Sequence, residues 1–180
     1  MFIKEAELFL ELDIGDASIA GLSQSVLTIG SFIGGLFMAF VYKRLKSFIN
    51  FFCWVLVLAG TSIILLTGNL PLIYLGSLIF GFGYGTFFPW LFAKGAMIAA
   101  PGTETKSLSY INAVYYLGMF LAVFFYQLIS IIFQNDTAFF AISCMIVGCI
   151  ILSAIFLVKG FTEKKQETGE GIKEAIKEAS

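Results

Sequence analysis

One uncharged stretch decides the fold: residues 47–93 have the sequence SFINFFCWVLVLAGTSIILLTGNLPLIYLGSLIFGFGYGTFFPWLFA, without a single Asp, Glu, Lys or Arg. A membrane-spanning helix needs about 20 predominantly apolar residues, so this stretch is long enough for two. Its middle, residues 67–71, combines Gly, Asn and Pro, which is typical of a turn. The stretch therefore predicts two spans joined by a turn.

Three further uncharged stretches are each long enough for one span. Backbone groups in lipid must pair within the segment that carries them, so each span is predicted to be a helix. None of the stretches alternates in polarity as the strands of a membrane barrel do. We predict an all-α integral membrane protein with five spans, at about residues 17–42, 49–66, 72–93, 108–133 and 138–158.

Composition favours the same class of protein. The chain is 59% hydrophobic and only 13% charged, whereas soluble domains usually contain about 25% charged residues. A net charge of −1 gives no basic footprint for nucleic acid. His is absent, which removes the commonest general base and metal ligand. The cysteines Cys53, Cys144 and Cys149 lack metal or redox spacing. We predict no catalytic residue, no metal site, no cofactor and no enzymatic activity.

The basic residues set the orientation, because cytoplasmic loops are enriched in Lys and Arg. With five spans, one side of the membrane receives only Lys4, and the other receives Lys43, Arg44, Lys46, Lys94, Lys106, Lys159 and the lysines that follow. We predict a multi-pass protein of the plasma or inner cell membrane, with its N-terminus outside and its C-terminus in the cytoplasm.

Three regions follow from these boundaries. Residues 1–16 are predicted to be an acidic extracytoplasmic stub, residues 17–161 the five-helix transmembrane domain, and residues 162–180 a polar cytoplasmic tail. The tail is rich in Glu and Lys, and we expect it to be frayed and solvated. A short surface helix is the alternative, since Ile172 and Ile176 lie four residues apart.

Polar residues within the spans are candidates for a substrate cavity, because polar groups facing lipid are costly. Gln24 and Thr28 lie four residues apart in the first span, and Asn112 and Tyr116 do so in the fourth, so each pair shares a helical face. Such faces either line a cavity or join helices. The cavity candidates are Gln24, Thr28, Tyr84, Asn112, Tyr115 and Tyr116.

Small residues four apart let helices approach closely, and an internal Pro removes a helical hydrogen bond. The predicted packing or hinge residues are Gly30, Gly34, Gly81, Gly85 and Pro89. The stretch Gly81-Phe82-Gly83-Tyr84-Gly85 also partly resembles a potassium-channel filter. Gly81-Phe82 replaces the Thr-Val of that filter, however, and a span-length helix replaces its re-entrant loop.

Several of these segments resemble the C-terminal half of a major facilitator superfamily transporter. Residues 15–22, GDASIAGL, with the glycines that follow and the basic loop Lys43, Arg44 and Lys46, resemble its eighth helix and next cytoplasmic loop. The stretch from Gly81 to Pro89 resembles the tenth helix, and the span with Asn112 and Gly118 the eleventh. The loop with Lys43, Arg44 and Lys46 shares only its basic character with the loop signature of the family.

The resemblance implies five of the six helices of the C-terminal half of a twelve-helix transporter. We therefore expect the chain to be a gene fragment, an internally started product or one piece of a split protein. The expected function is that of a secondary-transporter fragment that moves a small solute by alternating access. Its partners would be the lipid bilayer, a small-molecule solute and a missing N-terminal half or a second copy, with no nucleic acid. The alternative is a complete structural or accessory membrane subunit without transport of its own. The second and fifth spans, being the most uniformly apolar, are expected to face lipid.

Overall fold

The computed structural model describes residues 7–10, 17–134 and 137–178. Apart from short connections, these ranges are helical, and they contain no strand. Five long helices follow one another: α1 (Ala17–Leu45), α2 (Ile49–Leu66), α3 (Leu70–Met97), α4 (Glu104–Phe133) and α5 (Ala138–Glu178). A single 3₁₀ turn, Lys46–Phe48, joins α1 to α2. The all-α prediction is confirmed, and the turn before α3 lies where the sequence placed it.

Contacts along α3 fix the direction of its two neighbours. Ser23 of α1 shares a 2.6 Å hydrogen bond with Ser77 of α3, and further along both helices the Thr86 hydroxyl donates to the Gly34 carbonyl at 3.2 Å. These two helices are therefore parallel. In α2 the order is reversed, since Gly60 lies against Gly76, whereas Cys53 lies against Gly83. The chain thus turns back on itself between α1 and α2.

This reversal settles the number of crossings. Among the residues that the structure describes, four helical stretches are long and apolar enough to cross a membrane: Ser18–Leu66, Leu70–Met97, Glu104–Phe133 and Ala138–Thr162. The first has 49 residues, and a straight helix of that length would extend about 74 Å, more than twice the bilayer core of about 30 Å. Because it reverses at Lys46–Phe48, it makes two crossings, and the predicted total of five is confirmed.

Helices α4 and α5 complete the bundle. Trp54 of α2 stacks on Phe156 of α5 with ring centroids 6.4 Å apart, while Phe48 meets Phe161 at 5.3 Å, so α5 runs antiparallel to α2. Helix α4 is joined to α3 by a hydrogen bond from the Ser107 hydroxyl to the Gly95 carbonyl, 2.9 Å long. No residue of α4 is buried among those described.

The expected position of the second span is wrong. Helix α2 packs against α3 on one side and α5 on another, and it contributes eight buried residues, Gly60 and Thr61 among them. Its small residues allow neighbouring helices to approach closely, which the high hydrophobicity of the sequence did not indicate. Helix α5 does present an exposed apolar face, including Val147, Ile151 and Ile155, as expected of a span at the periphery.

Both terminal regions also differ from expectation. Residues 7–10 are helical, and Leu8 and Phe9 are fully buried against Ile64, Ile73 and Ile142, so this part of the stub packs on the bundle. The rest of the stub lies outside the described residues. The expectation of a frayed tail is wrong up to Glu178, where α5 ends. Glu, Lys, Gln and Ala are strong helix formers, and no Pro interrupts them.

Two ends of the bundle can now be distinguished. The basic end contains the C-termini of α1 and α3, the N-termini of α2 and α4, and the stretch of α5 around Lys159. Its basic residues are Lys43, Arg44, Lys46, Lys94, Lys106 and Lys159. The opposite end contains the α2–α3 turn and Gln134, which ends α4 in a left-handed conformation with a φ of 51°.

Candidate functional site

Helix α3 presents different chemistry on different faces. Phe80, Tyr84 and Phe88 are four residues apart and form an aromatic stripe, with centroids 6.2 Å apart for the first pair and 4.8 Å for the second. Ser77, Gly81 and Gly85, also four apart, form a stripe of small residues that faces α1. Helical periodicity places the two stripes on different sides, so α3 contributes both to a close backbone contact with α1 and to an aromatic pocket.

The contact between α1 and α3 brings the four predicted glycines together. A Cβ atom at any of Gly30, Gly34, Gly81 or Gly85 would collide with a carbonyl oxygen of the other helix. The carbonyl groups belong to Leu78, Phe82, Leu27 and Ser31, respectively. Backbone thus meets backbone on both helices, the close approach that small residues allow.

Pro89 lies one turn beyond Gly85. Its ring nitrogen carries no hydrogen, so the Gly85 carbonyl lacks the donor that an ordinary residue would supply. That carbonyl faces α1, where a Cβ added to Gly35 would lie 3.6 Å from it. Helix α3 nevertheless continues to Met97. A role of Pro89 as a hinge stays a prediction.

A pocket of about 510 Å³ lies between α2, α3, α4 and α5. The side chains that give it its character are Trp54, Tyr84, Phe88, Tyr115, Tyr126 and Cys149. The hydroxyl groups of Tyr84 and Tyr115 are hydrogen-bonded at 2.8 Å. The Trp54 indole nitrogen is buried and has no hydrogen-bond partner among the described residues. The pocket is therefore aromatic, with a few polar atoms able to orient an amphipathic molecule.

The structure divides the six cavity candidates. It brings Tyr84 and Tyr115 together in the aromatic pocket. The other four do not line that pocket: Gln24 is half-buried on α1, and Thr28, Asn112 and Tyr116 are exposed. The Thr28 hydroxyl donates to the Gln24 carbonyl at 2.9 Å, one turn earlier in its own helix. Their contact with a solute stays a prediction.

Thr28 belongs to a broad exposed face of α1. Phe32 and Leu36 follow at four-residue intervals and are 68% and 66% exposed. On α4, Tyr116 and Phe120 are similarly exposed. Large apolar side chains on these faces are more than half exposed, so lipid or further helices must cover them.

Sequence reasoning missed part of the aromatic pocket. Tyr126 follows Tyr115 by eleven residues, which is three helical turns, so the two share a face. That spacing was a signal that could have found Tyr126. Trp54 had no comparable signal, because a lone indole in an apolar run is equally compatible with a position at the lipid surface.

The basic loop begins within α1. Lys43 and Arg44 lie in its last turn, and the Arg44 guanidinium lies 6.0 Å from the ring centroid of Phe40. Lys46 adopts a φ of 41° at the reversal of the chain. Across residues 7–10, 17–134 and 137–178, no group of three His, Cys, Asp or Glu side chains could hold a metal ion.

Comparison with known proteins identifies the family. The model of the Major Facilitator Superfamily matches residues 6–179. No curated protein and no solved structure matches the chain. The family match covers almost the whole sequence, and five crossings with alternating direction agree with it. The chain belongs to the major facilitator superfamily of membrane transporters.

Proposed function

We propose that the chain forms the C-terminal side of a secondary transporter that moves a small solute by alternating access. The observation that carries this proposal is the family match over residues 6–179. The exposed faces of α1 and α4 support it, because a transport cavity needs helices whose polar residues are not already covered within their own half. Transport of this kind consists of binding and conformational change, and we assign the chain no catalytic residue and no enzymatic activity.

In the proposed mechanism, α1 and α3 move as a unit because their backbones are in contact. Gln24 and Thr28 on α1 and Asn112 and Tyr116 on α4 face the solute, while Tyr84 and Tyr115 line the aromatic pocket between α2, α3, α4 and α5. The five spans contain no charged side chain near mid-membrane, which favours a neutral or amphipathic solute. A coupling ion, if the transporter uses one, is then bound by other helices.

The partner in this mechanism is a second set of helices. Phe32, Leu36 and Phe40 of α1 are all more than half exposed, which leaves a surface for helices that this chain does not supply. A separately encoded N-terminal half, or a second copy of the chain, would enclose the cavity between two such surfaces.

Thiol labelling in the native cell's membrane tests alternating access without knowledge of the solute. In a chain whose three cysteines are replaced by Ala, Thr28→Cys should react with a membrane-impermeant maleimide in both right-side-out and inside-out vesicles. Ile155→Cys, on the exposed outer face of α5, is the matched control and should react in neither. Failure of the Thr28→Cys thiol to react from both sides would contradict the proposal.

Reporter fusions test the orientation. The excess of Lys and Arg at the basic end supports a cytoplasmic position for that end. We expect reporters fused at Asn69 and Asn135 to be active outside the cytoplasmic membrane, and those fused at Gly102 and Ser180 to be active in the cytoplasm. Activity of the Asn69 and Gly102 fusions on the same side would contradict both the number of crossings and the orientation.

A further inference from the structure

A second pocket, of about 490 Å³, lies at the basic end between the last turns of α1 and α3 and the 3₁₀ turn. Three lysines line it, Lys43, Lys46 and Lys94, together with the apolar side chains Trp90, Met97 and Ile98. No step of the proposed transport mechanism uses this pocket. It combines clustered cations with an apolar surface.

The local backbone brings the cations together. Lys43 lies in the last turn of α1. The reversal at Lys46, where φ is 41°, keeps the second lysine at the same opening. Lys94 approaches from α3, with its ammonium nitrogen 5.2 Å from the ring centroid of Trp90. Each ammonium group offers three donors and no acceptor, and three like charges around one space favour an anion within it.

Acidic residues are few in the bundle. Between residues 17 and 162 the sequence contains only two, Glu104 and Asp136. One oxygen of Glu104 accepts a hydrogen bond from the Gly102 backbone N–H at 3.1 Å, and Asp136 belongs to the connection at the opposite end. Residues 163–178 add five Glu and four Lys, which is nearly neutral. The basic end of the bundle therefore retains a positive excess.

We propose that this pocket binds the phosphate group of an anionic membrane phospholipid. The lysines hold the phosphate, and the lipid's glycerol and upper acyl carbons lie against the apolar side chains. Met97 and Ile98 are 71% and 76% exposed, which suits contact with acyl chains better than contact with water. Basic pockets between membrane helices are a recognised way to hold phospholipid headgroups. A free phosphate would use the same cations but gain nothing from the apolar rim.

Native mass spectrometry of the detergent-solubilised protein, titrated with phosphatidylglycerol, tests the proposal. K43Q/K46Q removes two lysines that line the pocket, whereas K106Q/K159Q removes two exposed lysines of the same end that do not line it. We expect K43Q/K46Q to weaken phosphatidylglycerol binding about 30-fold, and the control pair to change it less than about threefold. K43R/K46R should retain binding, which separates loss of charge from loss of fold.

Two further arms distinguish the sources of the phosphate. Phosphatidylcholine carries the same tails without net charge, and we expect it to bind more weakly than phosphatidylglycerol. Equal binding of the two lipids, or equal losses in both double variants, would overturn the proposal. Inorganic phosphate is expected not to displace phosphatidylglycerol at comparable concentration, and displacement would overturn the assignment of the pocket to a lipid.

Discussion

Replacing Gly85 with Val is expected to abolish the packing of α1 against α3, and with it the folded bundle. A Cβ atom at this position would collide with the backbone of Ser31, including its carbonyl oxygen, and a backbone atom cannot move aside as a side chain can. Overpacking usually costs about 1–3 kcal/mol, and more where nothing can relax. We expect the detergent-solubilised Gly85→Val protein to lose its monodisperse peak in size-exclusion chromatography.

Gly118→Val is the matched control. It makes the same substitution in another membrane helix, and no atom lies within 4 Å of the Cβ that it would add. The change in intrinsic helix propensity is the same at both sites, so any difference reports the contact between α1 and α3. If Gly85→Val eluted and melted like Gly118→Val, the close contact would not exist in the protein.

Trp90→Ala is expected to have the next largest effect. Trp90 is only 8% exposed and packs at the basic end with Val41, Ile49 and Cys53. Truncating a buried Trp typically costs about 3–5 kcal/mol through lost contacts and the cavity left behind. For a chain of this length, that loss lowers the unfolding midpoint by about 10 °C, measurable by fluorescence-detected thermal denaturation in detergent.

Phe120→Ala provides the comparison for this truncation. Phe120 is 62% exposed on α4, so its removal leaves no enclosed cavity and the midpoint of the isolated chain should change by only a few degrees. Equal shifts for the two variants would mean that the core at the basic end is not packed as described.

The uncharged stretches predicted all five crossings because the bilayer imposes a length on every helix that spans it. Glycines four apart similarly predicted that Gly30, Gly34, Gly81 and Gly85 lie in close contacts. Spacing identifies the face of a helix that packs tightly but not the helix that it meets. The structure was needed to show that Gly85 lies against Ser31, whereas Gly83 of the same helix faces α2.

Other features were beyond sequence reasoning for a physical reason. Lipid tails are as apolar as a Leu side chain, so hydrophobicity does not distinguish a helix that faces lipid from one that faces protein. For this reason helix α2 was wrongly expected from the sequence to lie against lipid. Leu8 and Phe9 were missed because their burial depends on a surface formed jointly by α2, α3 and α5. The pairing of Tyr84 with Tyr115 likewise depends on how α4 is docked.

The parallel contact between α1 and α3 has a consequence for biosynthesis. Ser23 and Ser77 are separated by 54 residues of chain, which a ribosome adds in about 3–10 s. During that interval α1 has entered the bilayer, or its insertion machinery, with the serine and its glycine face uncovered. Newly made α1 is therefore without this partner until α3 emerges, and the rate of translation through α2 sets the length of that interval.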